Sequence, residues 1–331
     1  MPLLEVDDLG IRLQTPRGAA DAVRGASFSL ERGQTLGLIG ESGCGKSITA
    51  MAIMGLLPEN AQVRGSIRFD EQELLGLPDR RMDHVRGNRV AMIFQEPMTA
   101  LNPVHTIGRQ VAEPLRLHRG LSARAARDEA IGLLDRVGIP QAAQRIDAYP
   151  HQFSGGQRQR ITIAMALACG PELLIADEPT TALDVTIQKQ ILDLIGELVA
   201  ERGMALLLIS HDLGLIAQSV SRMLVMYGGR VVEAGSTASV FSGMRHPYTR
   251  GLFAARPRLD QPRGQRLATI GGTVPELVDL PAGCTFAGRC AFTEPACHVT
   301  VPVVEPVGPD HAARCLRLAA VAQAVSEGRY A

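Results

Sequence analysis

Eight residues, GESGCGKS from Gly40 to Ser47, have the composition of a loop that wraps a polyphosphate. Gly40, Gly43 and Gly45 carry no side chain to block approach, so the backbone N–H groups of this run, Ser42 and Cys44 included, can curl inward at phosphate oxygens. Lys46 reaches the outer phosphates as a point charge, and Ser47 offers a hydroxyl to Mg²⁺. A second run, LLIADEP from Leu173 to Pro179, ends an apolar strand in two carboxylates. Asp177 is suited to hold Mg²⁺ through a water, and Glu178 to take a proton from an attacking water. Successive strand residues face opposite ways, so the two acids need not share one task. Gln95 follows RVAMIF and is a candidate ligand or sensor of the metal; His211 follows ALLLIS and can bond a γ phosphate and hold the water in line.

A third run, FSGGQRQR from Phe153 to Arg160, begins another helix. Ser154 is a good N-cap, Gly155 and Gly156 allow close backbone approach, Gln157 follows them, and such a start attracts an anion. The chain already has one phosphate loop. The second anion site therefore suits the γ phosphate of a nucleotide bound elsewhere, so the chain reads as holding half of an active site that a partner completes. Taken singly, each feature has an ordinary structural explanation: a glycine turn, an acidic strand end, a polar loop residue. The ordered set is what points to nucleotide hydrolysis.

These groups need a scaffold that brings them to one edge. Thr35 to Ile39, Arg89 to Phe94, Leu173 to Ala176 and Ala205 to Ile209 are short apolar runs of the kind that form buried parallel strands. Ligands of open α/β sheets bind outside the carboxyl ends of the strands, which collects Gly40, Gln95, Asp177 and Ser210. Between Leu117 and Gln144 the pattern is helical, with Ser122 as a cap, and residues 98–165 read as a helical insertion. Beyond about residue 256 the character changes, with eight of the twenty prolines between Pro257 and Pro309. This extension reads as loop-rich and in need of another source of order.

Composition sets outer limits. With 34 basic and 34 acidic residues, the electrostatic argument for a nucleic-acid binder is missing. The longest apolar candidate, Ile161 to Ala176, is broken by Gly170, Pro171 and Glu172, short of the ~18 residues of a spanning helix. The start, MPLLEVDDLG, does not read as a secretory signal, so the expected compartment is the cytoplasm.

The run FSGGQRQR, with GESGCGKS before it and LLIADEP after it, resembles the signature of ATP-binding cassette (ABC) proteins, whose nucleotide domains dimerise head to tail around two ATP molecules. The resemblance covers residues 1 to about 255. It implies an α/β P-loop NTPase fold with an N-terminal antiparallel β-subdomain, the helical insertion, and a loop-rich, cysteine-containing C-terminal extension over 256–331. It also implies Lys46, Ser47, Gln95, Asp177, Glu178 and His211 on one half-site, Ser154 and Gly156 on the other, and Asp184 in the TTALD turn between them. One departure stands out: the family stacks adenine on an early aromatic, and IRLQTPRGAADAV has none, leaving Leu13 or Val23 as replacements.

Met92 to Gln110 and HPYTRGLFAARP, His246 to Pro257, are similar to the ATPase subunits of oligopeptide and dipeptide importers, closer to the D-type than the F-type. That similarity implies a second, different ATPase as dimer partner, two membrane permeases, an extracytoplasmic binding protein, and a place on the cytoplasmic face of the plasma membrane. The insertion and the loop after Gln95 would receive the permeases' coupling helices. The rival expectation is a soluble cassette ATPase acting on nucleic acid or ribosomes, which the missing tandem cassettes and basic linkers disfavour. Peptides are the expected cargo; nickel chelates, glutathione and peptide antibiotics use related machinery.

Cys284, Cys290, Cys297 and Cys315 fall within the proline-rich extension at spacing C-x5-C-x6-C-x17-C. Four thiolates could order it by binding a metal centre, which in the cytoplasm is a better reading than two disulfides. The spacing lacks the paired C-x2-C of structural zinc. The importer resemblance implies a [4Fe-4S] cluster, with Zn²⁺ and metal-free thiols as alternatives. Cys44 and Cys169 read as small packed residues.

Overall fold

The computed structural model describes residues 1–181, 183–256 and 269–327. Among them are twelve strands: β1 (Leu4–Thr15), β2 (Gly18–Leu30), β3 (Thr35–Ile39), β4 (Gln62–Phe69), β5 (Gln72–Glu73), β6 (Val90–Ile93), β7 (Leu173–Asp177), β8 (Ala205–Ser210), β9 (Arg222–Tyr227), β10 (Arg230–Ser236), β11 (Glu305–Gly308) and β12 (His311–Ala313). An antiparallel sheet runs β2-β1-β4-β5, and a larger one runs β11-β12-β10-β9-β3-β8-β7-β6. Pairings among β6, β7, β8, β3 and β9 are parallel; β10, β11 and β12 are added antiparallel.

Alternation along the central strands divides two apolar cores. Leu173 and Ile175 of β7, with Leu207 and Ile209 of β8, join the antiparallel sheet and the helix Lys46–Ile53 on one face. Leu174 and Ala176, with Leu206 and Leu208, face the helices on the other. That second layer holds Ile107–Arg119, Ala123–Arg136, Gly155–Leu167 and Val185–Arg202. Its packing shows at three-and-four spacing, as in Ile191, Ile195, Leu198 and Val199. Strands buried on both faces must be apolar throughout, which is why these runs carry so strong a signal.

The extension is more regular than its prolines suggest. Its β12 pairs with β10 (Glu233 opposite Ala313), and β11 completes a hairpin at the sheet edge. Pro306 sits in the outermost strand, where a missing N–H removes no interior ladder bond. Sheet pairing thus supplies part of the order that the composition alone left unexplained. The buried pair His311 Nε2 to Glu233 Oε1, 2.8 Å, ties the same hairpin inward.

Candidate functional site

The turn between β3 and the helix Lys46–Ile53 is shaped by its glycines. A Cβ on Gly40 would meet the Met226 carbonyl at 2.3 Å, and one on Gly45, at φ 105°, the Ala22 carbonyl at 2.6 Å. At Gly43 the same atom would meet nothing within 4 Å, so that residue faces open space. The loop borders a 440 Å³ cavity that also touches Ser42, Lys46, Ser47, Gln95, Glu178 and His211. Four parts of the sequence therefore meet at the carboxyl ends of the parallel strands β3, β6, β7 and β8, as open α/β topology requires.

Lys46 is 4% exposed and donates to the carbonyls of Gly40 (2.8 Å) and Glu41 (3.1 Å). Its Nζ is 3.8 Å from Glu178 Oε1. Ser47 Oγ donates to Asp177 Oδ1 at 3.0 Å. Asp177 is buried, and desolvation holds its carboxyl above the usual range, with the Ser47 bond opposing. A buried carboxylate with one hydroxyl beside it, opening on a phosphate loop, fits Mg²⁺, which takes one or two protein ligands plus phosphates and water.

Glu178 leaves β7 at φ 45°, a conformation uncommon for a non-glycine residue and found at functional turns. Its Oε2 accepts from Gln95 Nε2 (3.2 Å) and Thr181 Oγ1 (3.1 Å) and lies 3.1 Å from His211 Nδ1. The His211 contact holds the Glu178 carboxyl below the usual glutamate range, and Glu178 in turn raises the imidazole. Gln95 and His211, each uninformative alone, thus converge on one carboxylate.

Ser154 is placed differently. Its hydroxyl accepts from Gln157 N at 3.3 Å, and Gln157 Oε1 accepts from Ser154 N at 3.2 Å, a reciprocal cap on the helix Gly155–Leu167. Gly156 packs toward Ile187, where a Cβ would come within 3.0 Å of Cγ2. None of these residues lines the cavity over the phosphate loop. Asp184 accepts from Ile187 N at 3.0 Å and caps the helix Val185–Arg202.

Of the two replacements expected for the early aromatic, only Leu13 lines the cavity. Val23 is 1% exposed in the core, under Gly45, because strand alternation turns it inward.

Nothing local in the sequence signals that the extension reaches the phosphate loop. Arg289 Nη1 and Nη2 donate to the Glu41 carboxylate at 2.7 and 3.1 Å, and Nη1 to Tyr227 Oη at 3.3 Å. Its side chain is only 6% exposed. Glu41 N donates to Tyr248 Oη at 2.8 Å, and Tyr227, Tyr248 and Phe286 pack ring against ring beneath.

The four extension cysteines are free thiols. Among the described residues no group of three or more His, Cys, Asp or Glu side chains is placed to hold a metal ion, so the expected centre is not assembled here as a ligand set. Burial raises the Cys284, Cys290 and Cys315 thiols, Cys290 to about 12 and Cys315 to about 11, and the neighbouring sulfurs push the same way. Phe292 N donates to Cys290 Sγ and Arg317 N to Cys315 Sγ, each at 3.3 Å. Cys44 is buried, with its thiol pushed up by desolvation, in keeping with a packing role. Cys169 lies just past the helix Gly155–Leu167.

A phosphate loop, a buried carboxylate beside its serine, and a glutamate held by glutamine and histidine define the nucleotide-hydrolysing cassette class. Residues 23–181 match the family described as ABC transporter, and residues 232–297 match the oligopeptide/dipeptide transporter C-terminal region. A putative peptide import ATP-binding protein of Brucella melitensis is 49% identical over 328 residues, 96% of this chain and 97% of that protein. The oligopeptide transport ATP-binding protein OppD of Mycobacterium tuberculosis is 49% identical over 96% of this chain and 52% of its own length. A dimeric ATP-binding cassette in a post-hydrolysis state, bound to ADP and Pi, superposes with TM-score 0.64 at 25% identity, covering 71% of this chain and 98% of that one. The chain belongs to the ABC transporter ATPase family, in the group that carries the oligopeptide/dipeptide C-terminal region.

Proposed function

We propose that this protein is an ATP-hydrolysing subunit that powers a peptide importer. The observation that carries the reading is the meeting of Lys46, Gln95, Glu178 and His211 around one cavity beside the Ser47–Asp177 pair. The relatives named for peptide import and the matching C-terminal region support the cargo class.

In this reading the backbone of Gly40 to Ser47 binds the phosphates and Lys46 exchanges its carbonyl partners for phosphate oxygens. Ser47 and Asp177 would hold Mg²⁺, with Gln95 at its edge; the ion neutralises charge on the phosphates when bound. Glu178 accepts the proton of the attacking water, and His211 fixes both that carboxylate and the γ phosphate. Ser154, Gly155, Gly156 and Gln157 serve the site of a partner ATPase, with Asp184 at the contact. Their distance from this chain's own cavity supports that assignment. The partner is a second, different ATPase; two permeases and an extracytoplasmic binding protein complete the importer at the cytoplasmic face of the membrane. No helix among the described residues is long and apolar enough to cross a membrane, so attachment runs through the permeases.

Affinity purification of the tagged chain from gently solubilised membranes should bring down two permeases and a second ATPase. Recovery with ribosomes or nucleic acid and with no membrane protein would overturn the reading in favour of the soluble alternative.

The finer reading is a [4Fe-4S] cluster on Cys284, Cys290, Cys297 and Cys315, which this structure does not draw together as a ligand set; what supports it is four cysteines in one short module, with backbone N–H groups already donating to the Cys290 and Cys315 sulfurs. Anaerobically purified protein should be brown and contain iron and sulfide. Colourless protein with stoichiometric zinc would reject the cluster.

A further inference from the structure

The cavity over the phosphate loop does not stop at the loop. Beyond Ser42 and Gly43 it continues into a second, 570 Å³ space, and Ser42, Gly43 and Leu277 line both. This outer trough runs between the β1–β2 turn (Thr15, Pro16, Arg17, Ala20) and the extension segment Val274–Val278. Its size lies in the range of small-molecule sites, and aliphatic side chains dominate its walls. A nucleotide whose phosphates follow Gly43, with the outermost phosphate toward Glu178 and His211, would send its sugar and base along this path.

The wall on the extension side is tied in place. Arg17 Nη1 donates to Glu276 Oε2 (2.6 Å) and Asp279 Oδ2 (2.9 Å), and Nη2 to Asp279 Oδ1 (3.0 Å). All three side chains are more than half exposed, so the clasp adds little to stability. What a forked guanidinium on two carboxylates does fix is the spacing between turn and extension. Leu277 lines the phosphate-loop cavity together with Leu13 and Ala22 of the β1–β2 hairpin, which offers no aromatic there.

We propose that Leu277, supported by Val274, is the apolar face against which the base of the bound nucleoside triphosphate packs, and that Arg17 is its positioning residue. This deepens the ATPase reading and rests on it: the extension completes the base subsite in the same chain. Contact with an aliphatic face carries no hydrogen-bond code for the base edge, so ATP and GTP should bind with affinities within a few-fold of each other.

The test compares full-length wild type, L277D, L277M and R17M by equilibrium binding of MgATP, MgGTP and Mg-tripolyphosphate, which has the phosphates without the base. L277D should weaken both nucleotides by about tenfold, the scale of one lost apolar contact, and leave tripolyphosphate unchanged. L277M should bind as wild type, and R17M should show the same split to a smaller degree. Nucleotide affinity unchanged in L277D, or nucleotide and tripolyphosphate weakened equally, would overturn the proposal. Wild type that binds none of the three would instead refute the ATPase reading beneath it.

Discussion

Replacing Glu178 with glutamine should leave MgATP binding intact, trap the nucleotide-bound dimer, and cut turnover by roughly a hundred- to ten-thousand-fold, the usual yield of a positioned base. Glutamine keeps the shape and can still meet Gln95 and Thr181, so fold loss does not confuse the result. Unchanged turnover would remove Glu178 from the role of base. The same variant has a second readout. His211 is raised by the Glu178 carboxylate, and in E178Q its titration, followed by NMR of the imidazole, should fall back toward the ordinary histidine value. The signs define a window. Histidine's raised value makes its share of the contact fully present below the ordinary histidine range and lost as pH rises through the raised one. Glutamate's lowered value makes its share present above the ordinary glutamate range and lost as pH falls through the lowered one. The charged pair therefore contributes a plateau between the ordinary glutamate and ordinary histidine ranges, and E178Q should remove the changes of stability with pH at the two edges of that plateau.

Changing Arg289 to methionine should cost about 3 kcal/mol, the low end for breaking a buried ion pair because Glu41 keeps some contact with water. For a chain of 331 residues that lowers the melting temperature by about 4 °C. Beyond stability, R289M should raise the apparent Kd for MgATP, because Glu41 both lends a carbonyl to Lys46 and takes the Arg289 fork on its side chain. Lysine at the same position should recover only part of the loss, since one ammonium cannot reproduce two parallel bonds and the bond to Tyr227. A melting temperature and ATP affinity both equal to wild type would refute the idea that the extension braces the phosphate loop. Thermal shift with and without nucleotide measures both at once.

How much of this was legible beforehand depended on how local the physics is. GESGCGKS can be read because close approach of backbone to phosphate admits few alternatives to glycine, and the clashes a Cβ would make at Gly40 and Gly45 show the same constraint within the fold. The central strands can be read because burial on both faces leaves an unbroken apolar run. Topology then sends their ends to one edge, which is how Gln95 and His211 could be placed in the same half-site as Glu178 from sequence, while their direct contacts to its carboxylate emerge only in the fold. Val23 was a weaker inference: one step of strand register decides whether it faces ligand or core. The β11–β12 hairpin was hidden by Pro306 and Pro309, which argue for loop; the first is acceptable in an outer-edge strand and the second in the turn that follows it. Leu277 and Arg289 left no local trace at all, because their partners sit at the opposite end of the chain and long-range ion pairs have no periodicity.

That separation has a consequence for how the protein is made. Arg289 and Glu41 are 248 residues apart in sequence. On a ribosome adding about 5–20 residues each second, the phosphate loop would wait roughly 12–50 s for its brace after leaving the peptidyl-transferase centre. A nascent chain short of residue 289 would carry every residue of the phosphate loop yet lack the clamp that holds Glu41, so firm nucleotide capture would be withheld until that arginine has been made and folded back.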